Sequence, residues 1–385
     1  RIERITGLKM APRIVTVIGN GLSGITATLS LIDRKQPVTW ISQKNAPIST
    51  NWPESIQLSG LQSLSSIIDI QKMLSHCVIP ISTHFSCWGS PFLKQEFTSL
   101  NSKNPKKLLL IDKHTLINEL NKQLHSLNAL SIPRRVKKVI KGKQCFELTL
   151  NDGSSLKSDV LIDATGSNSD LTKGLTERFR LDQFHVLCWQ LQDAHASSIK
   201  ATFLEATASG WWYAAPRLKG GLALFFATDL TNSQYPEIQT PQFITKELNK
   251  TIHLKHWIKE LRLCNISKPI IRNHSLYYKR VKAEFQKKSE EEALFLTGDV
   301  AMCVDPLSSH GSTNAIWSSL QVAESIDTQL HQQFNPECLS YGQLLHRAMI
   351  HHLESRRKIY QQESRFNEYP FWVSRSKHCD LEALN

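Results

Sequence analysis

Near the start of the chain, the run Gly19-Asn20-Gly21-Leu22-Ser23-Gly24 limits the fold more than any other feature. It follows an apolar, β-branched stretch at residues 13–18 and precedes a helical pattern that extends to about Lys35. Set between a strand and a helix, each glycine has its own task. Gly19 permits the tight turn, Gly21 lets the backbone approach a pyrophosphate, and Gly24 lets the helix pack close to the strand. The helix start, with Leu22 and Ser23, presents free N–H groups and a positive dipole end to phosphate. Pro37 and a second strand-like stretch, Val38–Ile41, complete a βαβ opening, so the first sheet is expected to be parallel. The acidic residue that usually holds a ribose, about 20 residues further on, is missing. Ser42 and Gln43 stand there instead, neutral and weaker partners, which predicts a modest affinity for the dinucleotide.

At 385 residues the chain is too long for one simple core, so one large domain with insertions or two domains is expected. Strand patterns recur at residues 135–140, 145–150 and 160–162, with Asn151-Asp152-Gly153 as a turn. A helix pattern spans residues 115–127, and residues 45–110 read as loop-rich with a helical patch near 58–74. Further strands are expected at 201–205, 211–215, 222–228 and 270–278, interrupted by a helical stretch at about 241–263. These read as an antiparallel sheet inserted into the first domain. A strand at 293–297, a long helix from about Ser312 and a helical, amphipathic tail from about Cys338 follow.

No apolar run approaches the roughly 18 residues that would span a bilayer, and no secretory pattern opens the chain. Eight scattered cysteines with no CxxC pair argue against a zinc site and a disulfide framework, and suit reduced thiols in a cytoplasmic protein. The net charge of +12 comes from short basic clusters without interleaved aromatics, which does not suit single-stranded nucleic acid. A solvated face, or attraction of an acidic partner or anionic substrate, is the expectation.

Two later blocks join the glycine run. One is Asp163-Ala164-Thr165-Gly166, after a buried strand. The other is Gly298-Asp299-Val300-Ala301, continuing to Asp305-Pro306 and Gly311. In this order the blocks resemble the FAD-dependent monooxygenases related to aromatic hydroxylases and tryptophan halogenases. The resemblance implies an α/β fold: a Rossmann-like FAD-binding domain at 10–185 and 286–340, with the loop-rich insertion 45–110. It also implies an antiparallel substrate domain at 186–285 and a helical C-terminal segment at 341–385. It places Asp299 on the flavin's ribityl chain, and Pro306, Gly311 and Ser312 beside the isoalloxazine, with Gly166 and Gly298 in the supporting turns. Pro53-Glu54-Ser55-Ile56 resembles the family's Gly-Glu-Ser-Leu segment. Ile111-Asp112-Lys113 resembles an Asp-Arg segment that contacts FAD; Lys113 keeps the charge but not the planar fork.

Gly210-Trp211-Trp212-Tyr213-Ala214-Ala215-Pro216 resembles the halogenase Gly-Trp-x-Trp-x-x-Pro segment, in a form seen in halogenase-like hydroxylases. The tail Glu363-x-Arg365, with Pro370-Phe371-Trp372, also resembles theirs. A halogenase needs a lysine near Phe85, and residues 82–90 contain none. Ser86-Cys87-Trp88-Gly89-Ser90 instead resembles flavoproteins that mature tryptophylquinone enzymes, including those with cysteine tryptophylquinone. That likeness implies a precursor polypeptide carrying the target tryptophan, molecular oxygen as co-substrate, and reduced flavin or NAD(P)H as electron source.

The expected reaction is hydroxyl transfer to an electron-rich ring, with the chemistry supplied by FAD and position, dryness and a proton supplied by the protein. His310, in the flavin-side loop, and His84 are the candidates for the proton. Trp88, Trp211, Trp212 and Tyr213 are expected to wall the ring pocket. Lys279, Arg280, Lys282, Lys287 and Lys288 are expected to steer an acidic partner to a wide mouth over the flavin. A small-molecule hydroxylase, halogenase or reductase on this fold, and a non-catalytic flavoprotein chaperone, are the alternatives.

Overall fold

The computed structural model describes residues 13–43, 52–97, 108–192, 199–230, 235–238, 240–261, 264–266, 268–283, 293–330 and 339–376. The β-branched opening forms the strand Val15–Ile18 at the centre of a five-stranded sheet. Its neighbours are Val160–Asp163 on one side and Val38–Ile41 on the other, with Leu294–Leu296 and Leu130–Ile132 outside them. Every pairing is parallel, which requires crossover connections and buries both faces. The helix Leu22–Asp33 supplies the first crossover. Ten of its residues are buried, because the long helix Gly311–Leu330 packs along it. On the opposite face a three-stranded antiparallel sheet of Val136–Lys141, Phe146–Leu150 and Ser155–Ser158 buries Phe146, Leu148 and Leu150 against Ile18, Ile41 and Leu161.

The second large sheet has nine strands. Its path runs Met302–Cys303, Ile270–Val281, Thr176–Gln192, Leu222–Thr228, Gly210–Pro216, Ala201–Thr207, Thr83–Cys87, Lys94–Phe97, and Cys264–Ile266 pairs with Thr176–Gln192 off this path. Two of these strands come from the stretch read as loop-rich. Lys94-Gln95-Glu96 lacks apolar alternation because it is an edge strand, which explains why the pattern hid it. The same stretch supplies the strand Pro53–Gln57, paired with Leu108–Asp112, and the helices Leu58–Gln62 and Ile70–Cys77. The strand Thr176–Gln192 is 17 residues long and runs unbroken through position 185, with a bulge between Arg180 and Asp182. The single helical stretch expected at 241–263 is two helices, Pro241–Leu248 and Leu254–Glu260. The second is started by the buried Glu205 carboxylate, which accepts from the backbone N–H groups of Ile252, His253 and Leu254.

Each face of the nine-stranded sheet has its own cover. Those two helices bury Trp189, Phe203, Trp212 and Phe226 on one face. On the other face, the helices Tyr341–Gln362 and Pro370–Ser376 bury Phe184, Val186, Trp211 and Ala227 beneath Tyr360, Phe371 and Trp372. Among the described residues, no helix is long and apolar enough to cross a membrane.

Candidate functional site

Positions 19, 21 and 24 are glycines for different reasons. Gly19 has φ 137°, and a Cβ there would lie 2.2 Å from the Ala164 carbonyl oxygen. A Cβ on Gly24 would lie 2.3 Å from the Gly19 oxygen. A Cβ on Gly21 would meet nothing within 4 Å. Two glycines therefore close the strand–helix junction, and the third keeps a space open above the helix start. No side chain caps that helix and its first turn holds no acidic residue, so its leading N–H groups remain available to a phosphate. The Trp40 indole N–H donates to the Gly19 oxygen at 2.7 Å and fixes the turn from below.

The three blocks meet physically. A Cβ on Gly298, where φ is 69°, would lie 2.4 Å from the Ser23 hydroxyl. Ser23 and Gly298 are thus in contact although they are far apart in sequence. Gly166, at φ 85°, faces open space. Asp163 points inward and accepts from the Thr165 and Thr172 hydroxyls, so it shapes its own loop. Ser42 and Gln43 follow the strand Val38–Ile41. The Ser42 N–H donates to Ile132, and the Gln43 carbonyl accepts from Asn20 at 3.4 Å.

Beyond the glycine loop, Lys113 at the start of the helix Lys113–Ser126 donates to Glu54 at 3.0 Å. The Ser312 hydroxyl donates to the other Glu54 oxygen at 2.5 Å. Burial opposes ionisation of Glu54, but Lys113 and the Ser312 hydroxyl outweigh it and hold the pKa below the usual value. Burial also opposes the Lys113 charge, and Glu54 and Asp299 more than restore it. Asp299 is pushed upward by burial and by Glu54, with Lys113 pulling the other way. Glu54, Lys113, Asp299 and Ser312 thus form one charged cluster drawn from four segments.

The Asp305-Pro306 turn is held from behind. The Asp305 carboxylate accepts from the Leu307 N–H at 2.9 Å, Arg356 Nε at 2.8 Å and the Tyr360 hydroxyl at 3.1 Å. Its own N–H donates to His352 Nε2 at 3.1 Å. Arg356 also pairs with Asp182, and Arg375 with Asp182 and Asp229. Burial lowers the His352 pKa to about 4. Pro306 opens a short 3-10 turn to Ser308, Ser309 takes φ 54°, and Gly311 starts the long helix. His310 lies between them. Its Nε2 is 2.8 Å from the Gln57 amide nitrogen, an N–H donating to a neutral ring, and burial lowers its pKa. The proton then resides on Nδ1, on the side of the Ser308 backbone.

Sheet register sorts the expected ring-pocket residues. Cys188, Phe225, Tyr213 and Leu204 lie side by side across four strands on the face turned to Ser55, whose hydroxyl is 3.4 Å from that of Tyr213. Trp212, one residue along, points to the opposite face and stacks on Phe226 at 4.3 Å. It is removed from the pocket by strand alternation. Trp211 shares the Tyr213 face but is covered by Tyr360, to whose hydroxyl it donates at 3.1 Å. Trp88 donates to the Ile359 carbonyl at 3.1 Å and packs on Trp372 at 5.3 Å, so it fastens its loop to the C-terminal helices. Gly89 and Arg365 complete that fastening through Glu363. His84 lies one row beyond Tyr213, within 2.5 Å of the Thr202 hydroxyl.

Sequence patterns missed Trp52, which packs 5.2 Å from Phe225, and the residues Arg272 and His274 of Ile270–Val281. His274 packs 5.0 Å from Phe184, its Nε2 is buried without a partner, and burial lowers its pKa. Arg272-x-His274 was the available signal, but only the strand register says which face it occupies. Of the residues expected to steer a partner, three are described, and Lys282 among them is half-buried. Lys279 is 2% exposed and donates to the Ser169 carbonyl, Arg280 pairs with Glu177, and Lys287 and Lys288 lie outside the described residues.

No protein-family model matches the chain, and no curated protein matches it in sequence. Solved structures do match. QhpG, a peptidyl tryptophan dihydroxylase essential for tryptophylquinone cofactor biogenesis, superposes with a TM-score of 0.71 at 21% identity, covering 95% of this chain and 79% of that one. The flavin-dependent halogenase CmlS gives 0.77 at 18% identity, over 97% and 70% of the two chains. The p-nitrophenol 4-monooxygenase PnpA from Pseudomonas putida DLL-E4 gives 0.69 at 12% identity, over 97% and 98%. At these identities the likeness is one of fold, and that fold is the FAD-dependent aromatic hydroxylase and halogenase type.

Proposed function

We propose that this chain is an FAD-dependent monooxygenase that hydroxylates an aromatic ring, and that the ring is a tryptophan side chain in a partner polypeptide on its way to a cysteine tryptophylquinone. The observation that carries the reading is the meeting of the three sequence blocks in one place. The Gly21 space, the Ser23–Gly298 contact and the Glu54–Lys113–Asp299–Ser312 cluster suit one extended dinucleotide. The fold likeness supports the same cofactor.

The glycine loop and its helix start would hold the pyrophosphate, and Asp299 would accept from the ribityl hydroxyls. Pro306, Gly311 and the Gly311–Leu330 dipole would face the ring system. Bound and reduced, FAD supplies the two electrons with which one oxygen atom enters the aromatic ring and the other leaves as water. The protein's part is orientation and proton placement. Trp52, Phe225 and Tyr213 offer an aromatic wall for the substrate ring. His310, held toward the neutral form by burial and positioned by Gln57, would supply the proton.

The choice of a polypeptide rests on the Ser86–Ser90 resemblance and on the fold shared with a peptidyl tryptophan dihydroxylase. A free aromatic substrate is favoured by one observation, the burial of Lys279 against the Ser169 carbonyl, since steering needs that charge at the surface. The deciding experiment supplies reduced FAD and oxygen to the purified protein with a co-expressed tryptophan-bearing precursor. Oxygen uptake and a precursor heavier by whole oxygen atoms are expected. Uptake that depends only on free aromatics would reject the polypeptide, and absence of a bound-flavin spectrum at saturating FAD would reject the whole reading.

A further inference from the structure

The face of the nine-stranded sheet turned toward Ser55 carries an arginine that makes no ion pair among the described residues. Arg272 stands in register with Val186, Ala227 and Trp211, so it shares their face. Its position is one row from Cys188, Phe225 and Tyr213. Two strand spacings of about 4.8 Å and one row of about 7 Å put Arg272 roughly 12 Å from Phe225.

Four carboxylates on this side are already engaged, and Asp299 belongs to the Glu54–Lys113 cluster. Glu54 holds Lys113 and Ser312. Asp305 holds Arg356 and Tyr360, Asp182 holds Arg356 and Arg375, and Asp229 holds Arg375. The Arg272 side chain is exposed and makes no hydrogen bond or ion pair among the described residues. Its charge is nonetheless felt by Glu54, Lys113 and Cys188, which places it on the cleft side. An exposed arginine on an outer surface needs no partner. One that stands beside an aromatic wall and a cofactor cluster is placed to meet a ligand.

We infer that Arg272 is a specificity residue that binds a carboxylate carried by the substrate about 12 Å from the ring that packs on Phe225. The planar guanidinium matches a carboxylate in two parallel bonds. A single negative charge suits one arginine flanked by Glu54 better than a phosphate would. The inference rests on the aromatic-substrate reading above and deepens it. The carboxylate has two sources: an acidic side chain one or two residues from the target tryptophan in an extended segment, or the acid group of a free aromatic molecule.

The test uses FAD-loaded protein, wild type and R272Q, and two probe pairs that differ only in charge. One pair is N-acetyl-Trp-Ala-Glu amide and N-acetyl-Trp-Ala-Gln amide; the other is indole-3-propionate and indole-3-propionamide. Dissociation constants are read from flavin fluorescence, and FAD affinity is measured separately for each protein. Wild type should favour the charged member of one pair by about tenfold, and R272Q should cut that preference to about twofold or less with FAD affinity little changed. Preference within the peptide pair assigns the acid to a polypeptide, and preference within the propionate pair assigns it to a free substrate. Equal affinities, no probe binding, or a preference that survives in R272Q would overturn the inference while leaving the FAD reading intact. An R272Q protein whose main loss is FAD affinity would also overturn it, by assigning Arg272 to the flavin. Failure of wild type to bind FAD would sink the inference and the reading together.

Discussion

The parallel sheet and the nine-stranded sheet build their halves of the cleft from different materials. Around the parallel sheet the work falls to backbone: Gly19, Gly24 and Gly298 have no room for a methyl group, and the first helix meets the nucleotide side with bare N–H groups. Across the nine-stranded sheet it falls to side chains, with Asp305, Arg356, Tyr360, Asp182 and Arg375 locking the C-terminal helices to the flavin-side turn. Backbone sites tolerate no added atom, whereas side-chain networks tolerate change but depend on protonation. The two regions should therefore fail in different ways.

The sharpest break is Gly24→Ala. The new methyl would press on backbone 2.3 Å away, so a loss of about 3 kcal/mol or more in unfolding free energy is expected. Gly21→Ala should leave thermal unfolding unchanged and weaken FAD binding by about tenfold, because only the open space is filled. Equal destabilisation of the two variants would erase the distinction between closing and cradling glycines.

The side-chain region should show its dependence in acid. The His352 pKa falls from 6.5 to about 4 on folding, so the unfolded chain binds its proton first. Stability is complete above the unfolded value and is lost as pH falls toward the folded one, by roughly 3 kcal/mol at the limit. His274 and His310, also lowered, act in the same direction, as do the lowered carboxylates Glu54 and Asp305 at more acid pH. Urea unfolding between pH 7 and pH 4 measures this, and His352→Gln should flatten the slope.

A smaller effect separates the two ends of the nucleotide site. Asp299→Ala should weaken FAD binding by about 10- to 100-fold, the worth of a charge-assisted acceptor, and Ser42→Ala by only about threefold. Equal losses in fluorescence titration would return Ser42 to the place of the missing acid. The smallest concerns neighbouring aromatics. Trp211→Phe should lower stability by about 1 kcal/mol through the lost bond to Tyr360. Trp212→Phe loses no such bond, since that indole N–H has no partner. Of the three neighbours, only Tyr213→Phe should change KM for an aromatic substrate.

Local signals were legible in the sequence. Glycine spacing between a strand and a helix announced the tight turn after the first strand, and apolar runs marked four of the five parallel strands within a residue or two, while Leu130–Ile132 went unread. Face and partner were not legible. Nothing local in Gly210–Pro216 says that Trp212 faces away while Tyr213 faces the cleft until the neighbouring strands are in register. Trp88 looked like a pocket wall, but its role is set by Ile359, 271 residues further along. Arg272-x-His274 is legible only as a polar alternation near the start of a strand, which reads as solvent-facing until the register is known.

The fastening by the C-terminal helices also has a consequence for the order in which the molecule is completed. Chains emerge from the ribosome N-terminus first and domains tend to fold as they appear. The glycine loop can close on Ala164 early. The Asp305 turn must wait for Arg356 and Tyr360, and the Trp88 loop for Ile359 and Glu363. Until the segment 341–376 is synthesised, the parallel-sheet half can form while the cover over the nine-stranded sheet cannot. Chain synthesis itself then delays the locking of the Asp305 turn and the Trp88 loop until residues 341–376 have emerged.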